Sequence, residues 1–273
     1  QNNDYIIVGD SFAFGSCVKP QFSMSSIFEN DFGKKNVNIA YRSNGPLIEL
    51  IALKYFVDRV SAKKILWFFY EGNDFNDLIE ELSIQKLKNL YVNYDETKIY
   101  SSEVNTNLIN LYEDSYKSYI LNREKKNYFY SIKKFFSIRM IRDYLNYNIN
   151  HSNFSNKSYN NNFLLNSNAQ VELNKIFKEV KGISNLNKID LYFVYIPAIE
   201  NLLDKKNKIY LEEKKILFSI LNNLNINIID TSEILYLEDK PKILLSKYQI
   251  PGHFNPYGFR LLVNFIEERI PSQ

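Results

Sequence analysis

The stretch "DYIIVGDSFAFG", residues 4–15, contains the first predicted strand and the first candidate site residue. Its apolar run Tyr5–Val8 predicts a short buried β-strand. The run stops abruptly at Gly9, Asp10 and Ser11, where a glycine, a carboxylate and a hydroxyl come one after another. Such a stop is either an ordinary turn or the place where a serine nucleophile is held at the carboxyl end of a strand. The residues at the carboxyl ends of the other strands distinguish these two possibilities.

Four more runs of β-branched and aromatic residues have the same character as the first. The five predicted strands are Tyr5–Val8, Val37–Ala40, Lys64–Tyr70, Asp190–Tyr195 and Ile226–Ile229. Helical patterns alternate with them, at Pro46–Val57, at Leu211–Leu224 and in the segment after Asn255. Strands that alternate with helices indicate parallel pairing. The sequence therefore predicts a doubly wound α/β fold around a five-stranded parallel sheet.

Residues 78–185 interrupt this alternation, being rich in Lys, Asn and Tyr and too long for one crossover. We expect a single domain over residues 1–273, in which residues 78–185 form a helical insertion or lid after the third strand. Within it, "YFYSIKKFFSIRMIRDYL" (128–145) has an apolar stripe with basic residues largely elsewhere. This segment is either an amphipathic helix that packs on its own domain or a basic lid over an acidic polysaccharide or a membrane surface.

The composition excludes several classes of protein. A net charge of +3 over 273 residues, without basic arms or tails, gives no support for nucleic-acid binding. One cysteine, Cys17, excludes an internal disulfide, and two histidines are too few for a histidine-based metal cluster. We expect neither a metal nor another cofactor. The oligomeric state is left open.

The longest apolar stretch, "ILWFFY" at residues 65–70, falls far short of the roughly 20 residues that a membrane helix requires. Because the chain opens almost directly on a core strand, we expect Gln1 to be a truncation point. Any membrane anchor would then lie in a segment that precedes it.

Polar residues stand after the predicted strands at their carboxyl ends, where ligands bind in an open parallel sheet. Ser11 comes after the first strand, the turn "YRSNGP" (41–46) after the second, and Asn73 after the third. His253 stands just before the last helix. A hydroxyl, a turn with backbone donors, an amide and an imidazole thus share one edge. These are the groups that acyl transfer requires.

Four segments also resemble those of the SGNH hydrolases, the GDSL esterases and lipases. They are "GDSFAFGSCV", "NGPLIELIALK", "WFFYEGND" and "GHFNPYGFRLL". The resemblance covers roughly residues 4–80 and 185–270 and leaves out the insertion. It implies a flavodoxin-like three-layer α/β/α sandwich.

Residue by residue, the resemblance implies that Ser11 is the nucleophile and that its backbone N–H is one oxyanion donor. Asn73 would offer its side-chain amide as a second donor, and Ser43 and Gly45 belong to the turn that carries the second block. His253 would be the general base, which takes the proton from Ser11 and later returns it to the leaving alcohol.

The chain departs from the family pattern at two positions. Ser43 stands where glycine is expected, which keeps the backbone N–H but adds the cost of an unusual φ, and Arg42 places a long cation nearby. Ile250 stands where the family commonly has the acid, three residues before His253. The histidine would then work as a Ser–His dyad or with a remote carboxylate such as Asp230, or the site would be impaired.

These observations favour a serine esterase that hydrolyses an ester, plausibly an O-acetyl group on a carbohydrate. An O-acyltransferase, which passes the acyl group to a sugar hydroxyl, would use the same residues. A glycan-binding module that has lost its catalysis is the alternative from another class, favoured by Ser43 and Ile250. The resemblance also favours a cell-envelope or periplasmic location over the cytoplasm.

Overall fold

A computed structural model of the chain describes residues 3–85, 87, 162–199, 208–237, 241–245 and 253–271. All of these belong to one compact unit, which is made of residues 1–94 and 161–273. No helix in these described ranges is long and apolar enough to span a bilayer.

The unit is built around a five-stranded sheet in which all pairings are parallel. Its strands are β1 (Asn3–Val8), β2 (Asn36–Asn38), β3 (Ala62–Tyr70), β4 (Asp190–Ile196) and β5 (Asn227–Asp230). Their order across the sheet is β2-β1-β3-β4-β5. The register is set at the centre, where Ile6 pairs with Val37 on one side and with Ile65 on the other. The predicted α/β fold with a five-stranded parallel sheet is confirmed.

The helices cover both faces of this sheet. They are α1 (Ser11–Phe14), α2 (Met24–Phe32), α3 (Pro46–Val57), α4 (Asp74–Ser83), α5 (Asn162–Leu165), α6 (Ser167–Asn187), α7 (Lys208–Asn223), α8 (Ser232–Leu235) and α9 (Pro256–Arg269). Two short 3₁₀ turns lie at Pro20–Phe22 and Pro241–Leu244. Pro46 and Pro256 occupy first-turn positions of α3 and α9, where the missing N–H costs nothing.

Side chains of the central strands alternate between two separate cores. On β1, Tyr5 and Ile7 face the core that contains α2 and α9, whereas Ile6 and Val8 face the core that contains α3, α4, α6 and α7. The same alternation on β3 separates Phe68 from its neighbours. Since both faces are covered, the central strands read as continuous apolar runs, which is why they could be found in the sequence.

The strand order places a crevice at the carboxyl end of β1. This strand lies between β2 and β3, so the chain leaves β1 toward one edge and afterwards crosses to the other side. Such a reversal point is where open parallel sheets bind their ligands. The segment after Val8 therefore lies at the expected position for a site.

The predicted insertion, residues 78–185, overlaps two helices of the sandwich. Helix α4 runs to Ser83 and α6 begins at Ser167, and both contribute to the buried core beside α3. Residues 88–161, including the amphipathic segment 128–145, lie outside the described residues. The helical insertion or lid stays a prediction.

Candidate active site

The turn after β1 needs a glycine at its first position. Gly9 has a φ of 150°, and a Cβ there would lie 2.8 Å from the Cβ of Ala13 and 3.0 Å from that of Phe68. Asp10 then caps α1, since its Oδ1 accepts a hydrogen bond from the Phe12 N–H at 2.8 Å. Ser11 is the first residue of that helix. A tight turn and a cap thus hold the hydroxyl at the strand end.

The structure brings Ser11 and His253 together although 242 residues separate them in the chain. The distance from Ser11 Oγ to His253 Nε2 is 2.9 Å. This is hydrogen-bond range for proton transfer between a hydroxyl and an imidazole. Both side chains are partly buried, so the pair is partly shielded from bulk water.

The imidazole is positioned by a stacked aromatic ring and by the two residues that follow it in the chain. Its ring stacks on the ring of Phe12, with 4.8 Å between centroids and 14° between planes. The next residue, Phe254, is fully buried and forms an isolated bridge with Leu245. Asn255 then caps α9 by accepting from the Gly258 N–H at 3.0 Å. Sequence reasoning missed Phe12 as a neighbour of the histidine, since nothing in the pattern relates two rings so far apart.

The carboxyl group of Asp10 lies against the nucleophile. Ser11 Oγ is 3.2 Å from Asp10 Oδ2, and the Asn73 amide nitrogen is 3.2 Å from the same oxygen. Burial raises the pKa of Asp10, against the hydrogen bonds from Phe12, Asn73 and Ser11 that favour its charged form.

Asn73 occupies the position before α4 and directs its amide at two carboxyl groups. Besides Asp10, its Nδ2 donates to Asp77 Oδ2 at 2.7 Å. Asn73 is the N-cap of α4 by position, but its side chain makes no capping bond. The residue predicted as an oxyanion donor therefore lies beside Ser11 with its donors engaged by Asp10 and Asp77.

The turn after β2 lies next to the nucleophile's turn. The Tyr41 N–H donates to the Gly9 carbonyl at 3.1 Å. Ser43 has a φ of 61°, the left-handed conformation that glycine adopts without cost. Its side chain is exposed, and its N–H makes no hydrogen bond within the described part of the chain. Gly45 differs, because its N–H donates to Glu81 Oε1 at 2.7 Å.

Besides Asn73, one face of α4 supplies two carboxyl groups, Asp77 and Glu81, that sequence reasoning did not assign. Asn73, Asp77 and Glu81 are spaced by four residues, which places them on one side of a helix. Glu81 accepts from the N–H groups of Gly45 and Leu47 at 2.7 and 2.9 Å. The four-residue spacing is the sequence signal that could have predicted this shared face.

Five carboxyl groups lie buried or partly buried around the crevice: Asp10, Glu49, Asp74, Asp77 and Glu81. Burial, together with the charge of Asp10, raises the pKa of Asp77 to about 7. Burial also raises the pKa of Glu81 to about 7. For Glu49 and Asp74, burial raises the pKa well above the ordinary range, with Asp10 adding to it.

These carboxyl groups do not form a metal centre. Across the described residues, no three His, Cys, Asp or Glu side chains are grouped so that they could hold a metal ion. The cluster is instead joined by hydrogen bonds to backbone N–H groups and to Asn73.

Asp230, one candidate for orienting His253, is engaged elsewhere. Its Oδ2 pairs with Lys214 Nζ at 2.6 Å, and its Oδ1 accepts from the Ser232 hydroxyl at 2.6 Å. Glu238, Asp239 and Ile250 lie outside the described residues. A Ser–His dyad, a carboxylate other than Asp230 and an impaired site stay open.

The chain has the fold of the GDSL lipolytic proteins, the SGNH hydrolase fold. One similar structure is a protein of the G-D-S-L family from Desulfitobacterium hafniense DCB-2, with a TM-score of 0.52, 12% identity and coverage of 98% of this chain and 99% of that one. A member of the lipolytic G-D-S-L family from Veillonella parvula DSM 2008 has a TM-score of 0.52, 10% identity and 98% coverage of both chains.

A third similar structure is the acetyl xylan esterase AlAXEase, with a TM-score of 0.52 and 10% identity over 98% of this chain and 100% of that one. The sequence itself matches no protein-family model and no curated protein. At such low identity the likeness shows the fold, and the chemistry has to be argued from the residues.

Proposed function

We propose that the protein is a serine ester hydrolase whose nucleophile is Ser11 and whose general base is His253. The observation that carries this proposal is the 2.9 Å distance between Ser11 Oγ and His253 Nε2, at the strand end where the fold binds ligands.

In the first half of the reaction, Ser11 Oγ attacks the ester carbonyl carbon while His253 Nε2 takes the hydroxyl proton. The tetrahedral intermediate collapses, the bond to the alcohol breaks, and the imidazolium returns the proton to the departing alcohol. In the second half, water attacks the acyl-enzyme, His253 takes a proton from it, and the Ser11 hydroxyl is regenerated as the carboxylic acid leaves.

The oxyanion of each intermediate would be bound by the backbone N–H groups of Ser11 and Ser43 and by the Asn73 amide. The Ser43 N–H supports this assignment because it makes no hydrogen bond within the described residues. The longer of the two Asn73 bonds, 3.2 Å to Asp10, is the one that would be exchanged for the substrate. Each such donor is worth about 2.7–4 kcal/mol of barrier.

For the substrate we propose an O-acetyl ester on a carbohydrate. The alcohol of the ester would lie against the solvent-exposed side chains of Tyr41 and Ser43, on the turn next to the nucleophile's turn. The similar acetyl xylan esterase makes acetylated glycans a sensible first choice of substrate.

The test is acetate release from p-nitrophenyl acetate, together with labelling by a fluorophosphonate. Ser11→Ala and His253→Ala are expected to lose at least about a thousandfold in kcat, because each removes one partner of the proton transfer. Ser16→Ala, just beyond the end of α1, is the matched control and is expected to keep its activity. Unchanged rates in both site variants would reject the proposal.

An added glycan acceptor distinguishes hydrolysis from acyl transfer. If the protein is a hydrolase, an acceptor leaves acetate release unaltered and forms no acetylated glycan. Stoichiometric acetylation of the acceptor would instead identify an O-acyltransferase that uses the same serine.

A further inference from the structure

Two exposed aromatic rings and an arginine lie beside the nucleophile. Phe14 is three residues after Ser11 in α1, so the two side chains are neighbours on the helix surface. Tyr41 lies on the adjoining turn, which is tied to the nucleophile's turn by the Tyr41–Gly9 backbone bond of 3.1 Å. The Asn38 amide adds a second tie, because it donates to the Ala13 carbonyl at 2.8 Å.

The rings are held against each other and remain open to solvent. The centroids of Phe14 and Tyr41 are 5.6 Å apart in an edge-to-face arrangement. Phe14 is 38% exposed and Tyr41 is 63% exposed. Exposed aromatic surface next to a reactive group is typical of ligand-binding sites. Because the rings meet edge to face, it is the more exposed Tyr41 ring that offers an apolar face with a hydroxyl at its edge.

Arg42 adds a cation to this surface. Its guanidinium carbon lies 5.2 Å from the centroid of the Phe14 ring, within the range of a cation–π contact. Within the described part of the chain Arg42 makes no ion pair, whereas Arg260 pairs with Asp31 at 3.2 Å and Arg269 with Glu233 at 2.9 Å. Among the described residues the guanidinium therefore contacts a ring and no carboxylate.

We propose that Phe14, Tyr41 and Arg42 form a subsite for a sugar that carries an anionic group, so that the preferred ester is on an acidic glycan. This inference rests on the proposed esterase function. The aromatic pair would contact the apolar face of a sugar ring, and the guanidinium would bind a carboxylate through two parallel N–H···O bonds.

A binding measurement tests the subsite independently of catalysis. In the Ser11→Ala protein, a galacturonic acid trisaccharide is expected to bind more tightly than a neutral xylose trisaccharide in isothermal titration calorimetry. Adding Arg42→Ala is expected to weaken the acidic ligand by about tenfold or more and to erase the preference, because a charge-assisted bond is lost. High salt is expected to do the same.

Arg59→Ala is the matched control, because that guanidinium also stacks on a ring, Tyr55, at 4.1 Å. It lies just beyond the end of α3, outside the proposed subsite, and is expected to keep both affinities. Equal affinity for the two trisaccharides, or an Arg42→Ala variant that binds the acidic one unchanged, would overturn the subsite. Neither result would contradict the esterase proposal, which is tested separately by the activity of the Ser11→Ala and His253→Ala variants.

Activity gives the second readout. The ratio of kcat/KM for acetylated polygalacturonate to that for acetylated xylan is expected to fall by about tenfold in Arg42→Ala. Arg42→Lys is expected to recover part of the ratio, since it keeps the charge but loses the paired donors. An unchanged ratio would also overturn the subsite.

Discussion

At the scale of single residues, the hydroxyl of Ser11 faces two groups that can accept its proton. His253 Nε2 is 2.9 Å away and Asp10 Oδ2 is 3.2 Å away. The shorter contact favours the imidazole as the acceptor of the Ser11 proton, and proton transfer to the imidazole is the transfer that catalysis requires. Burial raises the pKa of Asp10, and the hydrogen bonds from Phe12, Asn73 and Ser11 oppose that rise.

The left-handed backbone conformation of Ser43 lowers stability, and substitution by glycine would remove that cost. Its φ of 61° is uncommon for a residue with a side chain, and that side chain is exposed. We expect Ser43→Gly to raise the free energy of unfolding by about 0.5–1 kcal/mol, measured by urea denaturation. Ser43→Ala keeps a Cβ and serves as the control, with little change expected. A less stable glycine variant would contradict this.

At the scale of elements, α4 acts as a support for the start of α3. The N-cap of α3 is Gly45, which has no side chain to satisfy the first N–H groups. Glu81 reaches across from α4 and accepts two of these bonds. A carboxylate at a helix N-terminus also interacts favourably with the helix dipole. The Glu81 carboxyl group therefore fixes the residues that directly follow the turn containing Ser43.

Removing this support should lower stability. Glu81→Ala is expected to cost about 1–3 kcal/mol in thermal or urea denaturation at neutral pH, because the buried N–H groups of Gly45 and Leu47 lose their acceptors. Glu80→Ala, one position earlier on the same helix and exposed, is the control. Equal stability of the two variants would show that water replaces the carboxylate.

The elements that the sequence predicted correctly are those whose signal is local. β1, β3 and β4 are apolar on both faces, and Pro46 and Pro256 mark helix starts, so periodicity and capping were sufficient. The Glu81 bonds were not predictable, because they join residues 34–36 positions apart on different elements. Phe12 beside His253 is likewise a product of tertiary packing.

At the scale of the whole molecule, the buried carboxyl groups couple protonation to folding. In the native state burial raises the pKa of Asp77 and Glu81 to about 7, from ordinary values of 3.8 and 4.5. Between those limits the native state binds more protons than the unfolded chain. By linkage, the stability these groups contribute is present below about pH 4 and is lost as the pH rises to about 7.

We therefore expect the Tm to fall between about pH 5 and pH 8. Glu49→Gln should raise the Tm at pH 8 more than at pH 5, because burial raises the pKa of Glu49 and the substitution removes its titration. Glu212→Gln, on an exposed i,i+3 pair with Lys215, is the control. Scanning calorimetry across pH measures both, and a Tm that rises with pH through this window would contradict the linkage.

Because Ser11 and His253 are far apart along the chain, we expect the active site to form late in folding. The serine follows β1 and the histidine precedes α9, so these two distant elements must pack in the same core before the two atoms meet. Turnover that requires both residues therefore reports that these first and last parts of the chain have packed together. Its recovery after dilution from denaturant should lag behind the return of helical circular dichroism.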